Sequence, residues 1–228
     1  MLESTATPLQ AAAVPGNCHE LIVGGQKSGK SRRAELLARD WLAADPAHRA
    51  ALIATGQPWD EEMRQRIARH QADRAVRVPG LATLEEPLDL AGTVARHSTP
   101  QTLLIVDCLT LWLTNVLMPY QPAAEIHEAA DSTLADVPSQ LAALSSQAQP
   151  GQGAAPAVAA LVQALHAAPG PVILVGNEIG LGVIPMGREV REFVDALGGL
   201  NQSVAAACAT VTLMVAGLPL TLKVPAAR

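Results

Sequence analysis

Residues Gly24 to Ser31 read Gly-Gly-Gln-Lys-Ser-Gly-Lys-Ser, which fits the phosphate-cradling pattern G-x-x-x-x-G-K-[ST]. Each residue type has a chemical reason to be there. Gly24, Gly25 and Gly29 let the backbone wrap closely round phosphate oxygens. The backbone N–H groups of Gln26, Lys27, Ser28 and the first helical turn would point at the anion, and the helix dipole favours its charge. Lys30 would reach the terminal phosphates. The Ser31 hydroxyl suits Mg²⁺, a hard ion that prefers oxygen.

A second group of reactive residues follows about forty positions later. Met63, Ile67 and His70 are spaced i, i+4, i+7 and share one face of a helix. Arg66 and Arg74 flank His70 by one turn on either side, with Arg69 and Arg77 nearby. A histidine among arginines is disfavoured as a cation, so its imidazole should stay neutral and nucleophilic. The same arginines suit a phosphate chain through charge-assisted bonds. Together they would fit attack by a ring nitrogen on a nucleotide α-phosphate, which splits one transfer into two easier steps. A basic, solvated helix end has the same spacing, and on spacing alone it is the commoner explanation.

These residues need elements to position them. Glu20 to Val23 is a short apolar run before the loop, and Arg32 to Trp41 has helical spacing after it, with Leu36 and Leu37 inward. Ala51 to Thr55 predicts a second strand, ending at Gly56. Asp60 to Arg74 predicts a helix, acidic at its start and basic at its end. Val76 to Val78 is a candidate third strand, and Glu85 to His97 a helix starting near Pro87. Thr102 to Asp107 is apolar on both faces, which belongs inside a parallel sheet covered by helices. Its terminal Asp107 has the form of a Walker B carboxylate. Thr110 to Met118 predicts a helix, and Pro171 to Val175 a buried strand leading to Gly176, Asn177 and Glu178. Arg188 to Cys208 is helical with a break expected at Gly198-Gly199. Val211 to Val215 is the last central strand and Leu220 to Val224 an edge.

Residues 1–19 form an extension, expected to be disordered, before one domain over 20–228. Between 122 and 169 the composition drifts to Ala, Gln, Ser and Pro. Helices are expected there over Ala123 to Leu144 and Ala155 to Ala167, joined by a flexible Gln147 to Pro156. Alternating strands and helices imply a doubly wound parallel sheet with right-handed crossovers. Ligands then collect at the carboxyl ends of its strands, where Gly24, Thr55, Asp107 and Asn177 fall.

The chain has 228 residues, enough to bury a core, and a net charge of −5 with 2% aromatic residues. Nucleic acid is a poor partner for such a surface. No apolar run reaches membrane-spanning length, and Met1 to His19 lacks the pattern of a signal peptide. Cys18, Cys108 and Cys208 are few and scattered, which suggests reduced thiols in a cytoplasmic setting.

The ordered matches resemble the bifunctional adenosylcobinamide kinase/adenosylcobinamide-phosphate guanylyltransferase family of cobalamin biosynthesis. They run from Gly24-Gly25 and Ser28 to Ser31 through Ile53-Ala54-Thr55, then Asp60 to Met63 with Arg66-Ile67 and His70. Glu85 to Leu88, Asp107 to Thr110 and Trp112 to Asn115 follow, then Asn177 to Gly180 with Gly182 and Pro185, and last Asn201-Gln202 and Ala216-Gly217. The resemblance implies a three-layer P-loop NTPase fold of RecA-like type with a mostly parallel central sheet, usually a homotrimer. It implies phosphorylation of adenosylcobinamide by ATP or GTP, then GMP transfer from GTP through a guanylylated histidine, which maps to His70. Guanine-nucleotide contacts map to Gly24 through Ser31, to Ala54, Thr55 and Gly56, to Gln71, Ala72, Asp73 and Arg74, and to Glu85 and Asp107. Mg²⁺ would sit at Ser31 and Asp107, and either Glu178 or Asp107 would orient the acceptor hydroxyl. The chain departs from the family pattern with Lys27 in place of Arg and Gly176 in place of Ser or Thr. A plain P-loop small-molecule kinase and a nucleotide-binding regulatory module are the rival readings.

Overall fold

The apolar runs become strands of one sheet in the computed structural model, which describes residues 18–58, 61–118 and 154–225. The strands are β1 (Glu20–Gly24), β2 (Arg49–Ala54), β3 (Ala82–Glu85), β4 (Thr102–Asp107), β5 (Val172–Asn177), β6 (Thr210–Val215) and β7 (Leu218–Lys223). Their order is β3-β2-β4-β5-β1-β6-β7, parallel throughout except for the antiparallel β6–β7 edge. The helices are α1 (Lys30–Ala44), α2 (Glu61–Arg77), α3 (Leu90–His97), α4 (Leu109–Leu117), α5 (Ala155–Ala167) and α6 (Arg188–Ala207). Residues 1–17 of the expected 1–19 extension, the helix over 123–144 and residues 147–153 of the expected 147–156 loop lie outside the described residues.

The period-two geometry of a strand splits its side chains between two cores. In β1, Leu21 and Val23 pack with α3, α4, α5 and α6, while Ile22 packs with Ala34, Leu37 and Ala38 of α1. In β4, Leu104 and Val106 take the first side and Leu103 and Ile105 the second. This is the expected three-layer arrangement, mostly parallel because both faces are covered. Parallel pairing also gathers the strand ends that matter: Gly24 lies opposite Asn177, and Ala54 opposite Asp107.

Four local expectations need correction. The third strand is Ala82–Glu85, not Val76 to Val78, because α2 runs on to Arg77 and buries Val78 before stopping at Pro79-Gly80. The next helix starts at Leu90 rather than near Pro87. Glu85 is still strand, paired with Ala54; Glu86 Oε1 accepts from the N–H groups of Leu88 and Asp89; and Asp89 caps α3 by accepting from Gly92. Helix α6 passes Gly198-Gly199 without a break, since Leu197, Leu200 and Val204 are buried around them. That burial outweighs the roughly 1 kcal/mol each glycine costs in a helix. Finally, His19 does not belong to a loose extension. It is 2% exposed; its Nδ1 accepts from the Val172 N–H, so Nε2 carries the proton and donates to the Leu165 carbonyl at 2.7 Å. One neutral imidazole thus ties the entrance of β1 to β5 and α5.

Helix α2 is tied to α1 by charge. Glu35 of α1 is 4% exposed and pairs with Arg77 and, at 3.5 Å, with Arg74; Arg74 also donates to Thr83 Oγ1. Two tests follow from these contacts. Glu35→Ala leaves the buried Arg74 guanidinium without its anion, so urea unfolding should show a loss of about 3 kcal/mol. Burial holds the His19 pKa below its ordinary value. The unfolded chain therefore binds the extra proton first, and stability should fall as pH drops through about 6.5. His19→Gln should remove that part of the slope in unfolding curves taken between pH 5 and 8.

Candidate nucleotide site

The phosphate loop connects β1 to α1 at the carboxyl edge of the sheet. Gly24 has φ 151°, and a Cβ there would lie 2.4 Å from the Met214 carbonyl oxygen, so glycine is required both by conformation and by contact. Gly29 has φ 98° and opens α1 with no side-chain cap, leaving the first helical N–H groups facing the loop. The loop is braced from the far end of the chain. Ala216 (φ 51°) and Gly217 (φ 80°) make the two-residue turn of the β6–β7 hairpin, and the Gly217 N–H donates to the Ser28 carbonyl at 3.1 Å.

Lys30 is buried, and its ammonium donates to the carbonyls of Gly24 (3.0 Å) and Gly25 (2.6 Å). Burial lowers its pKa, while Cys108 and Asp107 work the other way. Cys108 is pushed up to about 11, chiefly by burial and then by Asp107. At neutral pH it is therefore a thiol, and Asp107 is the anion that opposes the lysine's desolvation. Ser28 Oγ is buried without a hydrogen-bond partner, an unmet polar atom inside a loop already shaped for an anion.

A cavity of about 750 Å³ opens over this loop, a size suited to a nucleotide. Gln26, Lys27, Ser28, Gly29, Lys30 and Ser31 form its floor; Ala54, Gly56, Glu85 and Asp107 come from the ends of β2, β3 and β4. Met63, Ile67, His70, Gln71 and Arg74 of α2 form its wall. The i, i+4, i+7 face therefore looks into the same cavity as the phosphate loop, and His70 is solvent-exposed at its margin. Not every residue expected in the site lines it. Gly24 and Gly25 shape the loop from behind through their carbonyls. Ala72 and Asp73 are exposed away from the cavity. Thr55 is fully buried: its hydroxyl donates to the Cys108 carbonyl (2.7 Å) and accepts from the Cys108 N–H (2.9 Å), clamping β2 to β4.

The basic cluster divides in two. Arg74 and Arg77 are engaged by Glu35, so they hold α2 in place, although Arg74 also reaches the cavity wall and Asp107 raises its pKa against the larger lowering by burial. Arg69 lines the cavity. The side chain of Arg66 lies outside the described set. Sequence reasoning gave no role to Glu35, Asn115 or Asn201. Asn115 donates to the carbonyls of Thr55 and Pro87, and Asn201 donates to that of Asn177. Asn115 and Asn201 stand in quoted motifs, but their long-range partners leave no local signal.

Among the described residues no cluster of three His, Cys, Asp or Glu could hold a metal by itself. A hydroxyl at Ser31 and a carboxylate at Asp107, both on the cavity, fit a hard cation that arrives with phosphate oxygens. Such a floor can bind a polyphosphate and stabilise charge on its oxygens, and such a wall can offer an imidazole.

Comparison with known proteins bears on which polyphosphate chemistry this is. A likeness in structure to the flagellar accessory protein FlaH of Methanocaldococcus jannaschii covers 93% of this chain and 80% of that one. Its TM-score is 0.44 at 12% identity, too distant to carry weight. The sequence relatives are much nearer. The bifunctional adenosylcobalamin biosynthesis protein CobP of Pseudomonas aeruginosa is 42% identical over 204 residues, covering 90% of this chain and 96% of that one. The protein CobU of Escherichia coli, with the same description, is 31% identical over 203 residues, covering 89% and 98%. The model of the cobinamide kinase / cobinamide phosphate guanyltransferase family matches residues 20–222. With the loop, the acidic strand end and the histidine-bearing helix around one cavity, and a match from the first strand to the last, the chain belongs to the cobinamide kinase / cobinamide phosphate guanyltransferase family.

Proposed function

We propose that this chain phosphorylates adenosylcobinamide with ATP or GTP and then guanylylates the product with GTP, using His70 as the nucleophile. The observation that carries this reading is that Lys30 and His70 line one cavity. A kinase alone needs only the first; a guanylyl carrier needs the second beside the same triphosphate.

In the first reaction the acceptor hydroxyl oxygen bonds the γ-phosphorus, the bond to the β-phosphate oxygen breaks, and the nucleoside diphosphate leaves. Lys30 and the loop amides hold the β- and γ-phosphate oxygens where charge builds up. Asp107 lines the cavity and Glu178 does not, so Asp107 is the better placed of the two carboxylates to orient the acceptor hydroxyl. Mg²⁺ held by Ser31 and Asp107 would add positive charge beside the same oxygens. In the second reaction a ring nitrogen of His70 bonds the α-phosphorus of GTP and pyrophosphate leaves. A phosphate oxygen of adenosylcobinamide phosphate then displaces the histidine, giving adenosylcobinamide-GDP and free imidazole. Gln71 and Arg74, with Ala54, Gly56 and Glu85 across the cavity, would hold the guanosine part in this step.

The enzyme would act in the cytoplasm as a homotrimer. Supporting self-association, Leu218, Leu220 and Leu222 recur at every second position of the edge strand β7, and all three are exposed. A bare apolar edge invites pairing. For location, no helix among the described residues is long and apolar enough to cross a membrane.

Two measurements test the chemistry. Incubation with α-labelled GTP should leave label that acid removes and base does not. His70→Ala should abolish that label and guanylyl transfer while phosphorylation of adenosylcobinamide continues. Label on the alanine variant, or none on a kinase-competent wild type, would sink the role of His70. Separately, phosphoryl transfer needs Lys30 charged, and burial lowers its pKa. The kinase kcat/KM for nucleotide, which reports the free enzyme, should therefore decline at alkaline pH with a midpoint below the ordinary lysine value of about 10.4.

A further inference from the structure

We infer that residues 178–187, the strap between β5 and α6, are the docking surface for the corrin ring of the acceptor. The inference rests on the reading given under Proposed function. Ile179, Leu181, Val183, Ile184 and Met186 stand within eight residues, and Leu181 (82%), Val183 (95%) and Met186 (96%) are almost wholly exposed. No charged residue lies between Glu178 and Arg188. Single exposed apolar side chains need no explanation, but a continuous group on a loop at the ligand edge of a sheet does.

The strap is tied at both ends while its apolar side chains face water. The Glu178 N–H donates to the Gly24 carbonyl at 3.1 Å, and the Gly180 N–H to Glu178 Oε1 at 2.9 Å. At the other end Arg191 Nη1 donates to the carbonyls of Pro185 (3.0 Å) and Met186 (2.5 Å). A loop tied at both ends has less freedom left for binding to remove than one held at a single end.

Position selects the occupant. The Gly24 carbonyl that receives Glu178 also receives the Lys30 ammonium, so the strap starts at the phosphate-binding end of the cavity. The acceptor hydroxyl must arrive there on its short arm. The macrocycle behind it cannot share the cavity with a nucleotide, so it rests on the rim. A corrin presents methyl-studded faces and uncharged amide arms, and the strap presents aliphatic side chains without a charge. The other exposed apolar row, on β7, lies along a sheet edge and suits a second copy of the chain. The strap is a loop, with no such strand edge to pair.

The test uses the full chain carrying Val183→Gln, Leu181→Gln and the pair together, with Val183→Ile as the conservative control. These side chains face solvent, so folding should be undisturbed. The KM for adenosylcobinamide should rise on the order of tenfold or more in the pair and stay near wild type in the control. The KM for ATP, the labelling of His70 by GTP without corrinoid, and the mass in solution should not change. An unchanged KM for adenosylcobinamide overturns the inference. So does a fall in mass, which would make the strap a contact between copies. If the wild type fails to phosphorylate adenosylcobinamide at all, the underlying reading falls and this one with it; if only the variants bind as well as the wild type, this one falls alone.

Discussion

A buried ammonium bound to two carbonyl oxygens sets the terms for the rest of the molecule. Lys30 has exchanged water for Gly24 and Gly25 at the foot of α1, and burial makes its charge harder to keep. That is tolerable only if negative charge is close, and Asp107 provides it from the end of β4. Phosphate is a stronger partner than either carbonyl, since it meets the ammonium with a full negative charge rather than a dipole. The site therefore favours a polyanion without any help from a chain whose net charge is −5. The whole sheet serves this arrangement: β1 must bring the loop, and β4 the carboxylate, to the same edge.

The other wall is built differently. Helix α2 contributes little to either core and depends on α1 for its placement through Glu35. Arg74 lies four residues after His70, and Glu35 four residues after Ser31, so a single buried ion-pair network links the phosphate-binding turn to the turn carrying the imidazole. Buried pairs of this kind are weak evidence for stability but can fix geometry. Here they set how the histidine faces the loop.

What could be read from the sequence was local. The glycine spacing from Gly24 to Ser31, the apolar run ending in Asp107, and the Met63, Ile67, His70 face are each contained within a dozen residues, and the structure brings them to one cavity. What could not be read depends on distant partners. Ala82–Glu85 is too short and exposed to announce a strand; its register with β2 makes it one. Glu35 looks like an ordinary helix residue until two arginines from α2 meet it. His19 reads as part of a tail until Val172 and Leu165, far along the chain, supply its hydrogen bonds. Gly198-Gly199 signals a break that surrounding leucines override. Thr55 is expected as a ligand contact from its motif position, and its bonds to Cys108 make it a buried strand clamp.

The place of β1 in the sheet has a consequence for synthesis. The strand that leads into the phosphate loop precedes every other described strand in the chain, yet it pairs with β5 on one side and β6 on the other. Its loop leans on Gly217, in the β6–β7 hairpin. A growing chain thus carries this segment without its brace until Gly217 has been added. Domains with such long-range pairing fold slowly and leave apolar strands open to wrong partners meanwhile. A nascent chain stopped before residue 210 would hold the complete signature of a nucleotide enzyme and lack the strand and turn that brace its loop.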